Sequence, residues 1–502
     1  MSFAFDNSFA RELPGFYVKW QPDQVPGPRL LYLNHALAEE LGVNLEQHDA
    51  AMLAAMLSGN RLPEGADPVA QAYAGHQFGR FSPQLGDGRA LLIGELVDCH
   101  GRRRDIAFKG SGPTPFARNG DGKAAIGPML REVLIGEAMH ALGIPSTRAL
   151  AVVATGESIR RETVLPGATL TRVAVSHIRV GSFEYYAARG EHERVRRLAD
   201  YSIARHDPGL IGKEDRHLDF LRAVVERQAA LVAQWMGVGF IHGVMNTDNM
   251  SIAGETIDYG PCAFMEAYDP GAVFSSIDQN GRYAYENQPR IAQWNLARLA
   301  ESLLPLLADD EAAAIALASE AIASFHGRYR HHWLAVMRAK MGLAGRAGNG
   351  DGDDLALIEE WLTLLQGSKA DFTLAWRYLA DAAEGNPLPL RSLFCDHLAL
   401  DAWLPKWQAR CAAEDGGAVT DASRLAAATR AQAMRRSNPW LIPRNHCVED
   451  ALSAASDEND LGPFEQLLEA LGRPYEEHAG FARFAKSAPE SFTASYCTFC
   501  GT

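Results

Sequence analysis

Nowhere in the 502 residues does an uninterrupted apolar run approach the roughly 18 residues of a membrane span, and the opening segment MSFAFDNSFARELPG has no basic stretch followed by an apolar core. Neither a membrane partner nor a secretory leader is expected, which makes the cytoplasm the expected compartment. Cysteine is scarce. The seven present (Cys99, Cys262, Cys395, Cys411, Cys447, Cys497 and Cys500) are too few and too scattered for a disulfide framework, and only Cys497 and Cys500 stand at CxxC spacing. Positive charge is in deficit as well, with 48 Lys and Arg against 62 Asp and Glu and a net charge of −14. The basic residues are dispersed, so no electrostatic footprint for nucleic acid or an anionic membrane is visible. A few locally placed cations can still hold a nucleotide.

What is present is a globular composition, 47% hydrophobic and 22% charged. Residues 1–70 mix Pro-punctuated loops with helical patterns at Asn34 to Leu41, with Asn34 as N-cap, and at Ala50 to Leu57, and read as a leading extension. Residues 71–170 form a strand-rich lobe, with strands at Ala90 to Val97, Asp105 to Lys109, Thr147 to Ala154 and Thr163 to Val175. One helix interrupts them at Pro128 to Leu142, stopped by Gly143 and Pro145. Residues 171–345 read as a second lobe whose long helical half begins near Leu218, with helices at Phe220 to Met236, Ile291 to Leu307 and Glu311 to Met341. Beyond the connector Gly342 to Asp354, residues 346–502 read as a helical C-terminal extension, with a helix at Leu355 to Leu365 and a turn-rich break at Glu414 to Val419. The fold class expected is α+β.

A nucleoside triphosphate site needs a close-fitting turn, a cation on the phosphates, an anchor for that cation and oxygen ligands for Mg²⁺. Gly86-Asp87-Gly88-Arg89 is either such a turn or an ordinary hairpin. The run Lys109-Gly-Ser-Gly-Pro-Thr-Pro, followed by Arg118 to Lys123, carries too much glycine and charge for a buried strand and suits a mobile, ligand-facing loop. Lys109 ends a strand, and Glu132 opens the following helix. A strand Lys paired with a helix Glu is the kinase device for orienting α- and β-phosphates, although Glu132 at that position also favours the helix dipole. Arg172 and Arg179 are further candidates for phosphate contact.

The sharpest signal is His242-Gly-Val-Met-Asn-Thr-Asp248-Asn249, which runs on into Asp258-Tyr-Gly. The kinase catalytic loop has His-Arg-Asp-x-x-x-x-Asn and then Asp-Phe-Gly, so Asn249 and Asp258 fall on the two metal ligands. Val244 falls on the catalytic Asp. Ordinary phosphorylation is thereby put in doubt, and Asp248 is the nearest substitute base, unless it only caps the loop.

These residues resemble the selenoprotein O family, whose bacterial members are protein adenylyltransferases on a pseudokinase fold. The resemblance is carried by Gln71-Ala-Tyr-Ala-Gly-His-Gln-Phe-Gly79, Gln84 to Arg89, Lys109 to Pro115, Glu137 to Pro145, His242 to Asn249, Asp258 to Pro261 and Asn438-Pro439. It implies a protein-kinase-like two-lobed fold with a strand-rich N-lobe and a helical C-lobe. It further implies ATP bound in a flipped orientation and AMP passed to Ser, Thr or Tyr hydroxyls of partner proteins. By the same resemblance Gly86, Gly88, Arg89, Lys109, Asp121, Gly122, Arg172 and Arg179 surround the nucleotide, Asn249 and Asp258 hold Mg²⁺ or Mn²⁺, Asp248 accepts the proton, and Glu132 pairs with Lys109. Cys500 stands where eukaryotic members carry selenocysteine, which implies a redox thiol with Cys497 as resolving partner. The second cysteine that some bacterial relatives carry twelve residues beyond the Asp-Tyr-Gly-Pro-Cys run is Phe274 here, so a disulfide to that position is excluded. Three rival readings stay open: a protein kinase, a silent pseudokinase acting as a binding module, and a uridylyltransferase using UTP with Mn²⁺.

Overall fold

The computed structural model describes residues 3–345, 351–415 and 421–499, without the side chains of 421–424. Its centre is an antiparallel sheet built from β1 (Tyr17–Lys19), β2 (Arg29–Leu33), β3 (Val69–Gln71), β6 (Ala90–Val97), β7 (Arg103–Lys109), β8 (Ala124–Ala125), β9 (Arg148–Arg160) and β10 (Val164–Ala174). The order is β1-β3-β6-β7-β10-β9-β2, with β8 on β10. Between β3 and β6 a separate hairpin forms from β4 (Gly75–Gln77) and β5 (Arg80–Ser82). The four strands read from sequence are therefore the middle of the sheet.

Both faces of the sheet are covered. After α1 (Ser8–Glu12), the helices α2 (His35–Glu40) and α3 (Ala50–Ser58) lay Leu37, Leu41, Leu53 and Leu57 against Leu96, Ile106, Leu150, Val153 and Val173. Residues 1–70, read from sequence as a leading extension, thus supply both edge strands and one covering layer. Asn34 caps α2 as expected, accepting from Leu37 N–H at 3.0 Å. On the opposite face lies α4 (Ile126–Ala141), whose Met129, Val133 and Leu134 are buried in the main core. Its C-terminus closes with Gly143 N–H on His140 O at 2.9 Å and Ile144 N–H on Met139 O at 2.9 Å, so the stop signal acts where the sequence put it.

The helical half begins earlier than Leu218. The helices α5 (Val180–Ala187) and α6 (His192–His206) precede α7 (Arg216–Val238), η-turn Thr247–Asn249, the two-stranded β11 (Phe240–Ile241) and β12 (Ala263–Phe264), α8 (Gln288–Leu307) and α9 (Glu311–Met341). Charged residues on the outer side of α6 hide a proper stripe, Val195, Leu198, Ala199, Ser202 and Ile203, all buried. The C-terminal part is α10 (Asp351–Ser368), α11 (Phe372–Ala383), α12 (Leu388–Arg391), α13 (His397–Glu414), α14 (Asp421–Ser437), α15 (Asn445–Asp457) and α16 (Gly462–Leu471), and its apolar residues join the same core as α4, α7, α8 and α9. The connector at Gly342 to Asp354 is cut short by α10, and most of the Glu414 to Val419 break lies outside the described residues, as does Cys500. No helix among the described residues is long and apolar enough to cross a membrane.

Sheet and helices are joined by a buried ionic knot. Arg205 of α6 donates to Glu95 of β6 at 2.7 Å and to Asp105 of β7 at 2.5 Å, with all three side chains at 5% exposure or less. Burial and the neighbouring Asp105 push the Glu95 carboxyl up. Burial opposes ionisation of Asp105 too, but Arg205 and His177 outweigh it and hold that carboxyl well below its ordinary value. Replacing Arg205 by Met strands two buried carboxylates. The expected loss is about 3–5 kcal/mol of unfolding free energy, read by urea denaturation at neutral pH.

Candidate active site

A cleft of about 480 Å³ opens between the sheet and the helical half. Five chain segments bring cations or carboxylates to it: the approach to β6 (Asp87 and Arg89), the end of β7 (Lys109), the loop after β7 (Arg118), β10 and the start of α5 (Arg172 and Arg179), and the loop after β11 (Asp248 and Asp258, with the amide of Asn249).

Lys109 Nζ donates to Glu132 Oε1 of α4 at 2.8 Å and to Asp258 Oδ1 at 2.7 Å, and Arg172 reaches the same Asp258 oxygen at 2.7 Å. Glu132 Oε1 also accepts from Tyr259 N–H at 3.0 Å, so one carboxylate fixes both the lysine and the loop that carries Asp258. Burial alone would raise the Asp258 carboxyl, yet Lys109, Arg172 and Arg179 hold it well below its ordinary value. It is an anion at any working pH. Asp258 also sits at φ 66°, in the left-handed region that non-glycine residues seldom adopt. That strain is held by the ion pairs around it.

Arg172 is held at two of its guanidinium nitrogens. Besides Asp258 it donates to His177 Nε2 at 3.3 Å, and His177 Nδ1 lies 3.0 Å from Asp105. Arg89 and Arg179 are different: Arg89 Nη1 and Arg179 Nε are buried with no hydrogen-bond partner, while the Arg179 guanidinium lies 4.4 Å over the Tyr73 ring. Buried guanidinium N–H groups left open in a cleft fit a phosphate oxygen.

Asp248 is the counterpart on the acid side. Its Oδ2 accepts from Gln77 Nε2 at 3.2 Å, while its Oδ1 is buried and has no partner. Burial is the main cause that pushes this carboxyl up to about 6, against the lowering pull of its backbone hydrogen bond and Arg179. Asn249 spends its amide N–H on Val244 O at 3.1 Å, which leaves Oδ1 as its ligating atom. Asn249 Oδ1 and the Asp258 carboxylate are hard oxygen donors facing one cleft, and they suit Mg²⁺. Among the described residues no three His, Cys, Asp or Glu cluster as a metal site, so such a cation must complete its shell from phosphate and water.

The sequence-derived residues do not all converge. Gly88, Arg89, Lys109, Arg172, Arg179, Asp248, Asn249 and Asp258 line the cleft, and Glu132 stands directly behind Lys109. Gly86, Asp121 and Gly122 are not among the lining residues. Gly86 is needed for a different close approach, because a Cβ there would overlap the Phe116 ring, and its N–H is spent on Tyr73 O at 3.1 Å. Asp121 instead pairs with Arg161 at 2.7 Å on the surface. The loop expected to be mobile is pinned over the turn by Thr114 Oγ1 on Asp87 O at 2.6 Å. Tyr73, Gln77, Phe78, Arg118 and Asn246 line the cleft without having been singled out. Tyr73, Gln77 and Phe78 sit inside the run Gln71 to Gly79, whose lack of helical or strand periodicity is the signal that was available.

Comparison with known proteins agrees along the whole length. The family model described as "Protein adenylyltransferase SelO" matches residues 1–472. A protein of Cereibacter sphaeroides named "Protein nucleotidyltransferase YdiU" is 59% identical over 506 residues, covering 100% of both chains. Proteins of the same name from Chromobacterium violaceum (57%, 98% of this chain and 100% of the other) and a Mycobacterium species (56%, 99% of each) are similar over the same span.

The open guanidinium groups predict a split in affinity. Arg89→Met and Arg179→Met should each weaken binding of a nucleoside triphosphate about ten- to a hundredfold, the value of one charge-assisted hydrogen bond, while leaving binding of the free nucleoside unchanged. Titration calorimetry with both ligands reads the difference.

Proposed function

The chain belongs to the SelO protein adenylyltransferase family and is a nucleotidyltransferase, and from that premise we propose that it transfers AMP from ATP to Ser, Thr or Tyr hydroxyls of acceptor proteins, releasing pyrophosphate. The observation that carries this reading is a single contrast. Lys109, Glu132 and Asp258 are assembled as a phosphate-orienting set, yet Val244 lines the cleft where a kinase holds its catalytic Asp, and Asp248, which lines the same cleft, keeps one carboxylate oxygen without a hydrogen-bond partner. On this reading the sheet with α4 is the N-lobe of a kinase-like fold and the helices from α5 onward its C-lobe, with residues 346–502 as the helical C-terminal extension.

In this scheme Arg89 and Arg179 bind phosphate oxygens, and Lys109, fixed by Glu132, neutralises a further one. Arg172 keeps Asp258 charged and aimed. Asn249 and Asp258 would hold Mg²⁺, which supplies charge neutralisation on the triphosphate. Asp248 Oδ1 accepts the proton of the acceptor hydroxyl. The hydroxyl oxygen bonds to the α-phosphorus, the bond from that phosphorus to the β-phosphate oxygen breaks, and pyrophosphate departs with the electron pair. The free cysteines among the described residues suit a reducing, cytoplasmic setting.

Label placement tests the reaction. With Mg²⁺ and a protein mixture, α-phosphate-labelled ATP should mark protein and γ-labelled ATP should not, and Asp258→Ala should abolish the signal. Protein marked from the γ-position overturns the proposal in favour of a kinase; marking only by labelled UTP with Mn²⁺ overturns the choice of nucleotide.

The pH profile tests the base. Asp248 works only as the carboxylate, so turnover should be lost as pH falls through about 6 and level off above it. Asp248→Asn should lower the rate about 10²–10⁴-fold above pH 6, with the gap narrowing below it as the wild-type carboxyl is protonated.

A further inference from the structure

The hairpin β4–β5 stands apart from the sheet and pairs with none of its strands. Instead it is joined to three consecutive residues of the catalytic loop. Phe78 N–H donates to Asn246 Oδ1 at 3.0 Å, His76 N–H to Thr247 Oγ1 at 2.7 Å, and Gln77 Nε2 to Asp248 Oδ2 at 3.2 Å. Two of the three grips are backed from the helical half. Tyr283 O–H donates to the same Asn246 oxygen at 2.6 Å, while Thr247 O–H donates to Glu184 Oε2 of α5 at 2.5 Å, and the other oxygen of Glu184 lies 2.5 Å from His76 Nδ1. Glu184 therefore ties loop, hairpin and α5 together with one carboxylate. Thr247 is wholly buried and Glu184 nearly so, at 0% and 5% exposure.

The hairpin also shapes the space around Asp248. A Cβ on Gly75 would overlap Asp248 Oδ1, so glycine there is what lets the carboxylate lie flat against the hairpin. With Oδ2 bound to Gln77 and Oδ1 packed against Gly75 without a hydrogen-bond partner, the carboxylate is held on both sides at the wall of a cleft that Asp248, Gln77 and Phe78 line. A carboxylate free to rotate would offer either oxygen in several directions. One held by a hydrogen bond on one side and by van der Waals contact on the other offers a single lone-pair direction.

We propose that the β4–β5 hairpin is a positioning device for Asp248, in which Gln77 fixes the carboxylate and the Thr247–Glu184–His76 set locks the hairpin to the catalytic loop. The proposal rests on the reading of Asp248 as the proton acceptor. Gln77 touches no reacting atom in this arrangement. Its loss should leave nucleotide binding intact and misplace the acceptor oxygen, a fault that costs rate rather than affinity.

Gln77→Leu removes the amide at nearly constant volume, Thr247→Val removes the hydroxyl that links His76 and Glu184, and Thr247→Ser restores it. Gln77→Leu and Thr247→Val should lower kcat about ten- to a hundredfold with the KM for Mg-ATP within about twofold, and Thr247→Ser should recover most of the rate. Should KM rise with kcat unchanged, or should Thr247→Ser stay as slow as Thr247→Val, the proposal is overturned. A double-mutant cycle of Gln77→Leu with Asp248→Ala, which removes the acceptor oxygens, read in urea unfolding, separates this inference from the one beneath it. Coupling of about threefold or more in the unfolding equilibrium supports the hairpin contact, and additivity overturns it. Full activity in Asp248→Asn would sink the assignment of the base, while the unfolding cycle would still decide whether the hairpin holds that side chain.

Discussion

One carboxylate oxygen, Oδ1 of Asp258, takes both Lys109 and Arg172, and the surrounding charges are arranged to make that possible. Two cations at one buried oxygen would repel each other without further anions. Glu132 supplies one on the lysine side. On the arginine side the compensation is relayed: His177 accepts from Arg172 at Nε2, its Nδ1 faces Asp105, and Asp105 is bound in turn by Arg205, which also holds Glu95. Burial keeps His177 below its ordinary pKa, and a neutral ring that donates at Nδ1 and accepts at Nε2 is the one state compatible with both neighbours. Asp258 is thus the outer end of a chain of alternating charges that starts in the core between β6 and α6.

The same economy fixes α4. In kinases the helix bearing the lysine's partner is a moving part, and activity is switched by its position. Here α4 is packed on its sheet side by β9 and β10 and on its outer side by α15 and α16, with Arg131 bound to Glu449 at 3.0 Å and to two backbone carbonyls of the Asp258 loop region. Tyr475 O–H reaches the end of the helix at Leu142 O, 3.1 Å away. Residues beyond 346 therefore act on the cleft without entering it. They hold Glu132 at its post, where it pairs with Lys109.

The legible parts of this molecule were those where local chemistry decides. Helix α4 and its stop at Gly143, the strands β6 and β7, and α9 over Glu311 to Met341 follow from apolar spacing and capping alone. So does the loop from His242 to Asp258, because a separation of seven positions from a loop histidine to an amide is a constraint on backbone length. Long-range pairings were not legible. Nothing within residues 17–33 announces two sheet edges, since their partners lie at Val69–Gln71 and Ala151–Ala154. Nor could spacing tell that Gly86 accommodates Phe116, thirty residues on, or that Asp121 pairs with Arg161. Glycine and aspartate were rightly marked as special at those positions, but a residue's type states a requirement and leaves its cause to the fold.

The cleft shows what such a fold leaves undone. Almost every charged group near it is matched: Lys109, Glu132, Arg172, His177 and one oxygen of Asp258 are committed to one another. Three buried atoms are not, Arg89 Nη1, Arg179 Nε and Asp248 Oδ1, and they line the same space. An unmet buried donor or acceptor costs about 1–3 kcal/mol, so three together are a sizeable debit against a stability of about 5–15 kcal/mol. Two cationic donors and one anionic acceptor are complementary to a reaction in which phosphate oxygens gain charge while a hydroxyl loses its proton. The engaged groups hold the geometry, and the unengaged ones are the surface on which the chemistry acts.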